Sequence, residues 1–456
     1  LSSAAYQFNR LFSYKNLQAT YHTKISKSSV VGNDRINKKA FESRLEENIE
    51  VIYKKVKNQK YEFTTYKQKL ISKGALSKPR VISIPTLRDR LTLRCLCDLL
   101  QKTFQDDVKL EIPQIKIFNI QKDIESGLFD GYIKIDISAF YPSIDHILLM
   151  KILRKKIRKK EILSLIEKAI KNGTSSTLKK KELYINDIGV PQGLSISNIL
   201  AEIYFSDIDK KMKAIDNIEY YRYVDDILIL CKVDQINSIA DKIIFETKEH
   251  KLDVHPLNEN DSKSSHGSLS EQFGFLGYEF NNYKTSVRLA SKERFESSIV
   301  KLLTTYKYRQ ERAKNNLQRT RLLKILEWRI NLRITGCIFE SERRGWLFYF
   351  SQINDLEVLH KIDSTILKLI DRFLLTTRIK PKSIVKAFFE SKSNLQKNKY
   401  IVNFDNMNTI QKRKILEVYL GEERLNGKSD SEIDRLFGMK ISKVIKELEE
   451  DLQNLS

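Results

Sequence analysis

Residues 219–232 read EYYRYVDDILILCK, two runs of β-forming residues joined by the adjacent carboxylates Asp225 and Asp226. Few other arrangements than a hairpin satisfy that pattern, with the acidic pair at its tip. Taken alone, the pair reads most plainly as a polar turn, because Asp is common in turns. Yet unpaired carboxylates buried beside Ile227, Leu228, Ile229 and Leu230 would be costly. At a tip they can instead share a ligand.

A second strand supplies a third carboxylate. GYIKIDI (131–137) alternates strictly. Tyr132, Lys134 and Asp136 point one way, and Ile133, Ile135 and Ile137 the other. Hard divalent cations take oxygen ligands, and magnesium commonly uses one or two carboxylates plus substrate phosphates. A carboxylate at a strand end and a pair on a neighbouring hairpin can hold two ions roughly 3.5–4 Å apart.

The remaining chain predicts an α+β fold. An amphipathic helix is expected over 34–60, with Phe41, Leu45, Ile49, Ile52 and Val56 on one face. A β-rich stretch follows, with a turn at Gly74 and a short strand bounded by Pro79 and Pro85. Helices are expected over 88–105, 146–171 with Asp145 as N-cap, 194–214 and 235–251. YINDIGVPQG reads as a strand and a turn, and 272–290 as a pair of strands. From 291 to 456 the pattern is helical and basic.

The formal net charge of +23 on 456 residues points to a polyanionic partner, nucleic acid first and an anionic membrane surface second. No apolar run reaches the roughly 20 residues that span a bilayer, and LSSAAYQFNRLF at the N-terminus lacks the apolar core of a signal peptide. Cys95, Cys97, Cys231 and Cys337 form no CxxC pair, and the six histidines are dispersed. A reduced cytoplasmic protein without disulfides or zinc is expected. The basic runs at 151–160, 177–183 and 306–334 are solvated faces or phosphate-neutralising surfaces.

Read in order, KPRVISIPTLRDR (78–90), YIKIDISAFYPSIDH (132–146), GVPQGLSISNILAEIYF (189–205), YRYVDD (221–226), LNENDSKS (257–264) and FGFLGYEF (273–280) resemble the successive motifs of the reverse transcriptase family. The resemblance implies a right-hand polymerase. After an N-terminal extension (1–34), fingers and palm would occupy 35–290. An all-helical thumb-like region (291–400) and a helical C-terminal segment (401–456) would follow. In the last segment, residues 429–452 resemble a helix-turn-helix broken at Gly438, although the acidic end of its second helix suits a packing or oligomer contact better than DNA.

The resemblance also implies an RNA-directed DNA polymerase that adds dNTPs to a primer 3′-hydroxyl with two magnesium ions (Mg2+), manganese being the alternative. Asp136, Asp225, Asp226 and the carbonyl of Ile137 would be the metal ligands. Arg80, assisted by Lys78, would meet the incoming triphosphate. Tyr141 would be a steric gate against the ribose 2′-hydroxyl, or a core residue, or both. Gln192 and Gly193 would lie against the templating pair and nucleotide. Lys263 is either a proton donor to pyrophosphate or a surface lysine. Arg88 and Arg90 either hold structure or touch template. Trp346, Phe348, Tyr349 and Phe350 read as core. Residues 69–96 and the long helical region are similar to bacterial defence-associated reverse transcriptases of the abortive-infection and unknown groups. That similarity implies a cognate noncoding RNA as template, a DNA product, homo-oligomers and a role in antiphage defence. A group II intron-like maturase that binds RNA is the alternative.

Overall fold

The computed structural model describes residues 3–26, 30–72, 78–109, 111–176, 186–258, 263–393, 398–450 and 452. The turn expected at Gly74, the basic stretch 177–183 and residues 259–262 of the 257–264 block lie outside the described residues. The chain folds as two compact units: Leu1–Glu111 with Phe129–Ser268, and Ile112–Leu128 with Leu269–Ser456.

The first unit contains two sheets. In the smaller, β1 (Tyr66–Ile71) lies between β2 (Arg80–Ile84) and the two-residue β4 (Thr174–Ser175). The larger is antiparallel, in the order β5-β6-β3-β7, with β3 (Gly131–Asp136), β5 (Glu219–Tyr223), β6 (Asp226–Cys231) and β7 (Ser265–Ser268). Every residue of β6 is buried. A central strand covered on both faces needs a continuous apolar run, which ILILC provides. In β3, Ile133 and Ile135 enter the main core, joined by Ile137 just beyond the strand. The Leu87–Thr103 and Ser197–Lys213 helices pack into the same core.

Two long helices expected here are interrupted. The 34–60 helix divides into Lys38–Glu42 and Leu45–Lys57, because Arg44 leaves helical geometry at φ −129°. The Asn48 side chain then donates to the carbonyls of Phe41 and Arg44. Likewise 146–171 divides into His146–Arg154 and Lys160–Lys171. Between them Ile157 turns fully inward, while Lys155 and Lys156 pair with Asp207 and Asp107. Like charges crowded on one helical turn favour such a break. Asp145 does cap its helix, its Oδ1 accepting from Leu148 N at 2.8 Å.

The second unit is mostly helical, with two small sheets. The 272–290 segment forms three strands rather than two: β8 (Phe273–Phe275), β9 (Tyr278–Asn281) and β10 (Lys284–Val287). A further sheet of β11 (Cys337–Phe339), β12 (Glu342–Arg344) and β13 (Val402–Asn403) interrupts the helical region. The Pro113–Glu125 helix belongs to this unit, and its Gln121 donates to the Gln352 carbonyl at 2.9 Å. Trp346, Phe348 and Phe350 are buried and Tyr349 is half-buried.

The break expected at Gly438 does not occur. Asp430–Glu450 is one continuous helix. Ile433, Phe437, Ile441, Val444, Ile445 and Leu448 form one buried stripe along it. Burying that stripe outweighs the roughly 1 kcal/mol that a mid-helix glycine costs. The acidic end packs inward, Glu447 pairing with Arg329 and Glu449 with Arg344.

All four cysteines are free and buried. Burial pushes the thiols of Cys95 and Cys337 up to about 12 and that of Cys231 up to about 11. Among the described residues no helix is long and apolar enough to cross a membrane.

Candidate active site

Strand register brings the three carboxylates to one end of the larger sheet. Asp136 lies directly opposite Asp226, and Tyr223 pairs with Asp226 on the other side. Val224 and Asp225 are therefore the two-residue loop of the hairpin. Ile137 N donates to the Asp225 carbonyl at 3.1 Å, which ties that loop to the end of β3.

The loop is strained and braced. Val224 has φ 57°, a left-handed conformation unusual for a β-branched residue and worth about 1–3 kcal/mol of strain. Arg222 holds it: Nη1 donates to the Val224 carbonyl at 3.0 Å. The same guanidinium pairs with Glu202 and Asp209 of the Ser197–Lys213 helix, both at 2.6 Å, and stacks over Phe205. Tyr220 adds a hydrogen bond to Asp209 at 2.9 Å.

The carboxylates are crowded and dry. Asp136 and Asp226 are buried, and Asp225 is partly so. Burial pushes Asp226 up to about 7, with the charges of Asp225 and Asp136 adding to it. Burial and then Asp136 also raise Asp225. Asp226 Oδ2 has no hydrogen-bond partner among the described residues. Asp136 Oδ1 is 3.4 Å from Lys263 Nζ and 3.2 Å from His255 Nε2. Mutually repelling carboxylates with an orphaned oxygen fit a hard divalent cation, which would favour their charged forms. Among the described residues no group of three or more His, Cys, Asp or Glu side chains is placed to hold a metal ion by itself. Magnesium, which keeps waters and substrate oxygens as ligands, does not require one.

Arg80, Tyr141 and Lys263 lie within electrostatic range of this cluster. Tyr141 is half-buried, and its Oη donates to Asn198 Oδ1 at 3.3 Å. Burial pushes its phenol up to about 12, with Asp225 and Glu202 acting in the same direction and Arg80 against it. Arg80 and Lys263 likewise act on Asp225. Arg80, Tyr141 and Lys263 thus share the electrostatic surroundings of the carboxylates. Lys78 is exposed, two residues before Arg80.

The GVPQG turn links two of these parts. On one side Val190 N donates to the Tyr141 carbonyl at 2.8 Å; on the other, Ser83 N donates to the Gln192 carbonyl at 2.7 Å. Gly193, at φ +100°, lies so close to β2 that a Cβ would meet Ile82 Cγ2 at 2.7 Å and the Ser83 carbonyl at 2.8 Å. Only glycine allows both that conformation and that approach. The turn therefore bridges the strand that carries Arg80 and the segment that carries Tyr141.

Arg88 and Arg90 take structural contacts, with Asn48 Oδ1 at 2.7 Å and the Pro85 carbonyl at 3.1 Å. Two features escaped sequence reasoning. His255 carries no spacing signal, being one dispersed histidine among six. The Arg222–Glu202–Asp209 network left a faint trace: a cation inside an apolar strand needs a buried partner.

Residues 67–280 match the family described as "Reverse transcriptase (RNA-dependent DNA polymerase)". "Group II intron-encoded protein LtrA" of Lactococcus lactis subsp. cremoris is 29% identical over 171 residues, 36% of this chain and 28% of that protein. "Protein YkfC" of Escherichia coli (strain K12) is 25% identical over 190 residues, 39% of this chain and 49% of that protein. The chain thus spans less than half the length of either relative. Among solved structures, apo telomerase from Candida tropicalis is 17% identical with a TM-score of 0.41, covering 86% of this chain and 68% of that one. With the motifs in order and the three carboxylates drawn to one sheet end, residues 67–280 are similar to the reverse transcriptase family.

Proposed function

We propose that this protein is an RNA-directed DNA polymerase that extends a primer 3′-hydroxyl with dNTPs at the Asp136, Asp225 and Asp226 cluster. The observation that carries this reading is the register that sets Asp136 opposite Asp226, beside a hairpin loop presenting Asp225. Two divalent cations, magnesium or manganese, supply Lewis acidity to the attacking and leaving oxygens when bound. Asp136, Asp225, Asp226 and the Ile137 carbonyl hold them. Arg80, with Lys78 nearby, aligns the triphosphate through charge-assisted hydrogen bonds. Tyr141 excludes a 2′-hydroxyl, while Gln192 and Gly193 support the nascent base pair. Lys263 Nζ donates a proton to the departing pyrophosphate.

In this reading residues 35–290 are the fingers and palm, and the basic helices of 291–400 act as a thumb. The template is a cognate noncoding RNA and the setting is antiphage defence, supported by the similarity of residues 69–96 to defence-associated enzymes. A maturase is the second reading, favoured by the intron-encoded relative. An Asp225→Ala, Asp226→Ala double variant tests the chemistry. It should lose metal-dependent dNTP incorporation and keep RNA binding; undiminished incorporation refutes the assignment. Sequencing the RNA and DNA that copurify with the protein separates a short structured RNA from an intron.

A further inference from the structure

The second unit holds a cavity of about 290 Å3 lined by Arg309, Arg321, Arg329, Tyr419, Lys440 and Lys443, with Glu447 as the carboxylate on its wall. That volume lies at the lower edge of the roughly 300–1,000 Å3 found for small-molecule sites. Its walls come from the Leu289–Glu311, Asn316–Thr335, Thr409–Leu420 and Asp430–Glu450 helices. Five cations from three helices therefore converge on one pit, together with a tyrosine from the fourth.

The charges in the pit are not balanced from within. Glu447 is committed to Arg329. The Lys440 ammonium sits 3.9 Å from the centroid of the Tyr419 ring. Burial, together with Arg329, Lys443 and Arg309, lowers its pKa. Burial lowers that of Arg329 as well. Tyr419 Oη and Arg321 Nε are buried, and neither has a hydrogen-bond partner among the described residues. A buried donor without a partner is destabilising, and an anion that accepts from it would offset that cost.

The donors are also held in place. Gly421 has φ +89°, and a Cβ there would come within 3.1 Å of Arg321 Nη1, so the guanidinium lies against bare backbone. Trp328 meets the Tyr419 ring edge-on at 5.6 Å. A planar guanidinium, ammonium groups and a phenol donor suit the oxygens of phosphoryl groups. A second basic cavity of about 640 Å3, lined in part by Arg294, Lys301, Arg333 and Lys446, shares Arg329, Lys443 and Glu447 with the first. Phosphates seated in the pit would leave the remainder of their molecule in this larger trough.

We propose that the pit is an oligophosphate-binding site, taking the consecutive phosphoryl groups of a nucleoside triphosphate or of an RNA 5′-triphosphate end. Its occupant ties the C-terminal helices to the preceding basic pair by bridging cations from each. The site is separate from the dNTP position proposed at Arg80, and it requires no divalent metal.

The test titrates inorganic tripolyphosphate into the full chain in EDTA, followed by calorimetry. Binding should weaken by about tenfold or more, 1.4 kcal/mol per decade, in an Arg321→Ala, Lys440→Ala variant. It should be unchanged in Arg80→Ala. Tyr419→Phe keeps the ring packing and should weaken binding roughly threefold, which guards against a folding artefact in the double variant. A nucleoside triphosphate and one RNA sequence with a 5′-triphosphate or a 5′-hydroxyl then distinguish the sources. Preference for the triphosphate end assigns an RNA terminus, and preference for the nucleotide assigns a free ligand; either supports the site. The proposal is overturned if tripolyphosphate does not bind, if Arg321→Ala, Lys440→Ala binds it normally, or if Arg80→Ala abolishes binding.

Discussion

Arg222 donates through Nη1 to the carbonyl of Val224, the left-handed residue of the acidic hairpin, at 3.0 Å. A single buried guanidinium thus links the position of Asp225 to two carboxylates on the helix behind the sheet. Removing it with Arg222→Met should leave the half-buried Glu202 and Asp209 without their cation and cost up to about 3–5 kcal/mol. Arg222→Lys should restore little, because an ammonium cannot span the same fork. Chemical denaturation measures both, and a lysine variant as stable as the wild type would contradict the bracing role.

Gly193→Ala should impair the site without touching a carboxylate. Its Cβ would strike Ile82 and the Ser83 carbonyl in a conformation that itself costs about 1–3 kcal/mol. The turn would have to leave β2, breaking the Ser83–Gln192 hydrogen bond and shifting Arg80. Steady-state kinetics should show a raised KM for dNTP, whereas an unaltered KM would separate the turn from nucleotide binding.

Tyr141 sits where its ring packs on the core and its hydroxyl meets Asn198. Tyr141→Ala should increase ribonucleotide incorporation by about tenfold or more, the discrimination expected from one steric contact of about 1–3 kcal/mol. Tyr141→Phe should keep the selectivity, since in the proposed gate the ring edge would supply the exclusion. Equal sugar selectivity in all three proteins would remove the gate.

Asp89 gives a pH signature of stability. Tyr61, Thr86 and the Thr64 N–H all donate to it, yet burial prevails and pushes its pKa up to about 6. A carboxyl raised in the folded state contributes stability fully present below the unfolded value of 3.8 and lost as pH climbs through 6. The difference corresponds to roughly 3 kcal/mol at about 1.36 kcal/mol per pKa unit. Unfolding free energies at pH 4 and pH 7 should therefore fall further in the wild type than in Asp89→Asn. Parallel pH curves would show that Asp89 ionises normally.

Gly438→Ala should stabilise the Asp430–Glu450 helix by about 0.5–1 kcal/mol, since a Cβ there meets nothing within 4 Å. A lowered melting temperature would mean that the glycine serves a conformation other than the helix.

The features legible in the sequence were those set by short-range periodicity. The alternation of 131–137 and the two runs flanking Asp225 and Asp226 specify strands because their period is two. What pairs with what was not legible. That Asp136 faces Asp226 is a contact across 90 residues of sequence, as are the links from Glu202 and Asp209 to Arg222 across shorter gaps. Local breakers also misled where tertiary burial was stronger. The apolar stripe carries a helix through Gly438, whereas Ile157, drawn into the core, interrupts a lysine-rich helix with no Gly or Pro to signal it. The sheet of β11, β12 and β13 has strands of two or three residues, too short for alternation to register.

The burial of all four thiols has a practical consequence. Alkylating reagents attack thiolates, and burial keeps these groups both protonated and shielded. The native chain is therefore close to silent toward maleimide dyes without any cysteine being replaced. One cysteine introduced at an exposed position such as Ile147 or Leu374 would take a single fluorophore, and a second a distance partner, so that movements of each compact unit on its substrates can be followed in the otherwise unaltered protein.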